Sequence, residues 1–379
     1  MKVHVQLVCF CVLFVRLLGS DWRVNVDWDN QVFPSYIIAT STRNSETDKM
    51  PDDYLGDLNG YIGIEYTTEH PGEEVRVEVT GGELIKSGIF EGAAKVAGKK
   101  YRIYPKVAYD YHKLGLLAEP VSEDVTITLT VNGQRKGTKV QTVRFRSVND
   151  CPLSLVDDRG KEHDYSWMFA AYVNENHPLI DRILAASLRN GIVPAFKGYQ
   201  GSPSEVYQEV FAVWNTVQRS GVKYSSITTA SGESEKVFSQ HVRKLEECLS
   251  NSQANCVDGS ALFASAFRKI GLHTSLILIP RHCFLLVYLD DDRHQPMVIE
   301  TTMIGDVDLN KQSLDRGLNS LLSGRNNNLS RTSFEQACRR GAEEYNNSLP
   351  YFEKAPHYHR IDIERARKRG ITPLGSSRS

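Results

Sequence analysis

Residues 255–302 read NCVDGSALFASAFRKIGLHTSLILIPRHCFLLVYLDDDRHQPMVIETT, and this stretch decides the fold. Leu262, Phe263, Ala266, Phe267 and Ile270 form a one-face apolar stripe that stops at Gly271, the pattern of an amphipathic helix with a glycine at its C-terminal end. Asn255 is then the N-cap, Cys256 the first helical residue, and Asp258 an acid in the first turn, where free N–H groups and the helix dipole favour negative charge. A cysteine at such a position is activated as a nucleophile. Residues 275–279 and 283–289 are apolar and partly β-branched and read as two strands, interrupted by Pro280-Arg281. Alternation puts His282, Phe284, Leu286 and Tyr288 on one face. A turn centred on Asp291 sets Glu300 directly across from His282, where a carboxylate fixes the imidazole tautomer and frees the other ring nitrogen for the cysteine.

This order, a cysteine at a helix start followed by a histidine and an acid on successive strands, resembles the transglutaminase-like superfamily of papain-related cysteine enzymes. The matching pieces are Asn255-Cys256-Val257-Asp258 with its helix, Arg281-His282-Cys283, and Val298-Ile299-Glu300-Thr301-Thr302. The resemblance implies a nucleophile at Cys256, a general base and acid at His282 and an orienting acid at Glu300. Much of the family has Asp at the third position, and Glu is one methylene longer. The resemblance extends over residues 204–302, and helices of the kind read upstream flank the catalytic one in the family. Cys283 points to the opposite face from His282 and reads as core or disulfide-bonded. The backbone N–H of Cys256 is the economical oxyanion donor, with Gln253 or Asn255 as side-chain candidates.

Working outward, 379 residues with a formal net charge of −1 accommodate two globular domains and carry no field that would attract nucleic acid. Residues 1–20 have a basic start at Lys2, an apolar run over 5–15 and small residues at Gly19-Ser20, as in a secretory signal, too short for a comfortable membrane span. Export to the cell surface, the periplasm or the medium follows, with no membrane span in the mature chain. Cys9 and Cys11 would leave with the signal, and Cys151, Cys248, Cys256, Cys283 and Cys338 remain, an odd number that fits one retained thiol. The pairing state of the other four stays open. No CxxC or HExxH occurs, and His357-Tyr358-His359 reads as a surface or packing pair, so neither metal nor cofactor is expected.

Short alternating runs at 22–28, 61–67, 74–80, 101–109, 125–131 and 139–145, with Gly81-Gly82 and Asn132-Gly133 as turns, predict an antiparallel immunoglobulin-like β-sandwich over 21–150. Tyr101, Tyr104, Tyr109 and Tyr111 read as strand packing in preference to a carbohydrate platform. Asp150-Cys151-Pro152 marks the boundary to a transglutaminase-like α+β domain over 151–310. In it, two helical pieces over 166–189 break at His177-Pro178, a helix runs over 203–219, residues 222–224 are extended, 227–232 form a polar loop and a helix covers 235–249. Residues 311–379 read as a C-terminal loop and helical extension, with a polar surface loop over 309–331, a helix over 333–345 and a solvated basic face around Arg365, Arg367, Lys368 and Arg369. Asn328-Leu329-Ser330 and Asn346-Asn347-Ser348 match the glycosylation sequon.

The reading is an exported cysteine-dependent acyl-transfer enzyme acting on protein or peptide amides, a peptidase, amidase or transglutaminase, with hydrolysis favoured over crosslinking. The sandwich is read as a surface for protein or glycan contact. The contrasting reading is a non-catalytic transglutaminase-like module that uses the same cleft to bind protein or glycan.

Overall fold

In the computed structural model, the described residues are 22–43, 51–57, 59–157, 159–226, 234–307, 324–352 and 354–375. The signal-like segment 1–20 and the 227–232 loop lie outside them, as does most of the polar stretch that follows residue 307. The chain is a mixed α+β structure with several separate sheets.

Period-2 alternation at the N-terminal end builds two sheets that share one core. The first has the order Trp22–Val26, Ile62–Thr67, Lys100–Tyr104, Tyr54–Gly56. The second has the order Gln31–Val32, Gln134–Phe145, Val121–Val131, Glu73–Thr80, Ile85–Ala94, Lys106–Tyr109. Ile62, Ile64 and Ile103 from the first and Val75, Val77, Ile127 and Leu129 from the second are all fully or almost fully buried in a common cluster. Tyr101, Tyr104 and Tyr109 are buried too, as strand packing requires, whereas Tyr111 is exposed at the start of the short helix Tyr111–Leu116 and packs in no strand. Asn132 (φ 48°) and Gly133 (φ 76°) make the tight turn of the long hairpin.

Three details differ from the sequence reading. Gln31–Val32 and Tyr54–Gly56 pair in parallel with their neighbours, so the sheets are not wholly antiparallel; edge strands this short carry no readable alternation. The run 101–109 is two strands in different sheets, split at Pro105, which has no N–H to donate to a ladder. The strand Ile85–Ala94 and the helix Pro34–Thr40 were not anticipated. The strand is masked by small residues at Ser87, Gly88, Gly92, Ala93 and Ala94, and the helix is aromatic and β-branched, against its propensity.

The remainder is helical with smaller sheets. A short 3₁₀ piece (Ser166–Tyr172) and a helix (Pro178–Arg189) are separated where His177-Pro178 interrupts. The next helix, Pro203–Arg219, has a Ser202/Glu205 capping box and buries Val206, Val210, Val213, Trp214 and Val217. The helix read over 235–249 is instead a strand, Val237–His241, followed by a short helix, Leu245–Ser250. The strand pairs with Asp150–Val156, a tertiary partner invisible in local periodicity.

The sheet that positions the site has the antiparallel order Pro296–Ile299, His282–Tyr288, Thr274–Ile279, His359–Asp362. Its last strand comes from the C-terminal extension, read from sequence as loop and helix alone. One face, through Cys283, Leu285 and Val287, joins the core that holds the Cys256–Lys269 helix. The other face, through Phe284, Leu286, Tyr288 and Val298, forms a second cluster with Tyr345 and Phe352 packed against it.

The long helix Gly324–Ser348 lies on the Pro296–Ile299 strand and against Pro203–Arg219. Its first turns replace part of the loop read over 309–331. Phe334, fully buried between Phe211 and Trp214, anchors it. At Gly341 helix and strand meet so closely that a Cβ would sit 2.9 Å from the Val298 carbonyl and the Glu300 nitrogen. The Glu300 N–H donates to the Ala337 carbonyl at 3.0 Å, tying the end of the strand to the helix.

Candidate active site

The site begins at the helix start. Asn255 Oδ1 accepts from the Val257 and Asp258 N–H groups at 2.8 and 2.9 Å, and Asp258 Oδ2 accepts from the Asn255 N–H at 2.9 Å, a reciprocal cap. Cys256 is therefore the first helical residue, and it is half-buried. Asp258, almost wholly buried, is also held by the Arg243 guanidinium and the Arg243 N–H, each at 2.9 Å. Burial pushes the Asp258 carboxyl up, while these hydrogen bonds and the Arg243 charge oppose it. Sequence reasoning missed Arg243, which sits in the connection between the strand and helix that had been read as one helix.

His282 opens its strand after a two-residue hairpin turn, Pro280-Arg281, in which Arg281 takes φ 64°. The register differs from the sequence reading. Leu285 pairs with Ile299 and Leu286 with Val298, which carries position 300 opposite Phe284, two residues along from His282. The turn is longer than one centred on Asp291, because Asp290 folds back to accept from the His294 and Gln295 N–H groups at 3.1 and 2.8 Å. The longer Glu side chain spans the diagonal. His282 Nε2 meets Glu300 Oε2 at 2.7 Å.

Glu300 is 4% exposed, and its other oxygen accepts from the Thr302 N–H at 3.1 Å and the Thr302 hydroxyl at 2.6 Å. Burial raises the Glu300 carboxyl, but hydrogen bonds from His282 and Thr302 outweigh it and hold the group below the usual glutamate range. For His282, burial favours the neutral ring; hydrogen bonds to Cys256 and Glu300, with their charges, overcome that and lift the imidazole from 6.5 to about 10. His282 thus interacts with both Cys256 and Glu300, and an imidazolium between a sulfur and a carboxylate is the arrangement that can form a nucleophile and deliver a proton.

The site is braced from below. The Ser260 hydroxyl donates to the Cys256 carbonyl at 2.7 Å and meets the Thr301 hydroxyl at 3.0 Å, so the start of the helix is linked to the residue after the acid. Cys283 is fully buried on the face opposite His282, its thiol pushed far up by burial and by the neighbouring Cys256. Cys151, Cys248, Cys256, Cys283 and Cys338 are all unpaired thiols.

Of the two side-chain oxyanion candidates, Gln253 is exposed on the short strand Gln253–Ala254. Asn255 spends its oxygen on the cap, and its buried Nδ2 has no hydrogen-bond partner. Tyr224, unassigned from sequence, is brought beside Ala254 by parallel pairing of Lys223–Tyr224 with Gln253–Ala254. Burial, then the charges of Cys256 and Glu300, raise its phenol. On the His282 side lies a cleft of about 580 Å³ lined by Ile279, Glu300, Thr302, Met303, Arg340 and Glu344, the last two from the long C-terminal helix. No group of metal-ligating side chains converges among the described residues. His357 and His359 face Glu162 and Asp164.

No family model matches the sequence, and no curated protein matches it. Among solved structures, the chain is similar to red sea bream transglutaminase at 8% identity and a TM-score of 0.20, over 82% of this chain and 58% of that one. The match thus spans less than two thirds of the fish enzyme's length.

Proposed function

We propose that the chain is an exported cysteine-dependent acyl-transfer enzyme of transglutaminase-like type, with an immunoglobulin-like sandwich over 21–150, a catalytic domain over 151–310 and the extension 311–379 completing its sheet. The observation that carries this reading is the placement of His282, in contact with Cys256 through one side and with the buried Glu300 through the other. A histidine that served only to finish a strand would have no need of a carboxylate anchored by two further hydrogen bonds.

The Cys256 sulfur attacks the carbonyl carbon of a protein or peptide amide, and the oxyanion meets the backbone N–H of Cys256, since the next two N–H groups of the helix are taken by the Asn255 cap. The C–N bond then breaks, the proton held by His282 passes to the leaving amine, and a thioester remains on Cys256. His282, now neutral, takes a proton from water as it attacks the thioester, releasing the acid and restoring the starting pair. Glu300 keeps its Nε2 partner throughout and so fixes which nitrogen faces the sulfur. Hydrolysis is preferred over amine transfer because the cleft beside His282 is open and partly polar, and none of the described residues that line it closes it off from water.

The experiment is amine release from a denatured protein digest, together with intact-mass detection of an acyl adduct. Both appear in the wild-type chain and vanish in Cys256→Ala with the fold intact. If amine release is unchanged in that variant, the enzyme reading is wrong.

A further inference from the structure

Trp28, Asp29 and Asn30 hold φ values of 57°, 57° and 59° in succession. A run of left-handed L-residues is costly and persists only where the surroundings impose it, a condition that concentrates at functional places. Here the turn is pinned by Asp27, whose carboxylate accepts from the Tyr104 hydroxyl at 2.5 Å, and by the Ser234 hydroxyl donating to Asp29 at 2.7 Å. Its result is to roll Trp28 onto Tyr165, with ring centroids 4.4 Å apart, and onto Phe33, Tyr36 and Tyr61. The aromatic surface then continues outward from Tyr165 to Trp167 at 6.1 Å, and Trp167 lies 5.9 Å from Tyr36.

Over this surface opens a second cleft of about 490 Å³, separate in its lining from the one beside His282. The N-terminal part of the chain contributes Arg43 and Asn59, and the strand Glu162–Asp164 contributes Glu162 and Asp164, with Tyr165 and Trp167 as the floor. The volume falls within the range of small-molecule sites.

We propose that this cleft is a saccharide-binding site for a neutral sugar ring stacked on Tyr165 and Trp167. Two observations select that ligand class. The polar wall mixes a guanidinium with two carboxylates, so an ion of either sign meets repulsion from one side, whereas hydroxyls pair with donors and acceptors alike. The carboxylates are not bare charges awaiting a cation, since Glu162 faces His357 at 4.0 Å and Asp164 faces His359 at 3.6 Å, and each retains lone pairs for a hydroxyl donor. The partly exposed rings supply the flat apolar surface that the C–H face of a pyranose covers. The site gives the chain a means of holding a glycan independently of Cys256.

Three of the four tryptophans, Trp22, Trp28 and Trp214, are buried, whereas Trp167 is only partly so. Acrylamide quenching of the full chain therefore reads Trp167. The probes are cellohexaose, chitohexaose and laminarihexaose at millimolar concentration, with hexalysine and hexaglutamate as charged counterparts. At least one hexasaccharide is expected to shield Trp167, and its calorimetric Kd to weaken tenfold or more in Trp167→Ala and in Glu162→Gln, with Cys256 alkylation unchanged. Glu162→Gln alters an exposed rim residue, so it keeps the test decisive if Trp167→Ala fails to fold. The proposal is overturned if no hexasaccharide shields Trp167, if only a charged peptide does, or if sugar affinity is unaffected in Glu162→Gln.

Discussion

Replacing Glu300 with Gln removes one charge and keeps the shape, so it isolates the carboxylate's effect on His282. The pair meets at 2.7 Å, Glu300 is 4% exposed, and the His282 imidazole is lifted from 6.5 to about 10. A hydrogen bond to a charged group contributes about 1.5–3 kcal/mol, so its loss lowers the His282 pKa by about 1–2 units. The remainder of the lift comes from Cys256 and stays in place. The assay is an NMR titration of the His282 ring in the wild-type chain and in Glu300→Gln.

The same pair fixes the sign of a pH dependence. The folded pKa of His282 lies above its unfolded value, so its contribution to stability is complete below about pH 6.5 and is lost as pH rises through about 10. Urea denaturation should show a stability gap between wild type and Glu300→Gln that is wide at pH 7 and narrow at pH 10. A His282 titration identical in both proteins, or a gap that grows with pH, would refute the reasoning.

Arg243→Ala leaves Asp258 buried without its guanidinium, and removing one partner of such a pair costs about 3–5 kcal/mol; two backbone N–H groups still serve Asp258, so the low end is expected in chemical denaturation. Gly341→Ala places a Cβ 2.9 Å from strand backbone, and overpacking of this kind costs about 1–3 kcal/mol. Because the Glu300 N–H is bonded to the same helix, Gly341→Ala should also slow Cys256 alkylation, while a change in melting temperature alone would separate helix packing from the site. Asn255→Ala removes a cap contributing about 0.5–2 kcal/mol; thermal melts should register that loss, and an unchanged melt would mean the helix start is held by Asp258 and Arg243 alone.

The helix, the hairpin and the closeness of Cys256, His282 and Glu300 are legible because they rest on local signals: a 3.6-residue stripe ended by Gly271, a cap at Asn255, and apolar strands around Pro280-Arg281. What stayed hidden depends on partners distant in sequence. Val237–His241 is a strand because Asp150–Val156 pairs with it, and no window around residue 237 contains that partner. The strand His359–Asp362 likewise exists by virtue of Thr274–Ile279. The hairpin register slipped by two residues because the Asp290 side chain caps a longer turn, a choice that counting from the three aspartates does not reveal. Arg243 and Tyr224 were unreadable for the same reason, since each acquires its place only when the chain has folded past it.

Whether His282 activates Cys256 is read most simply from the alkylation rate of Cys256 against pH, located by peptide mass spectrometry, in the wild-type chain and in His282→Ala. An activated Cys256 shows a rate already high near pH 6 that collapses in the variant. An ordinary thiol profile unaffected by His282→Ala would contradict that activation.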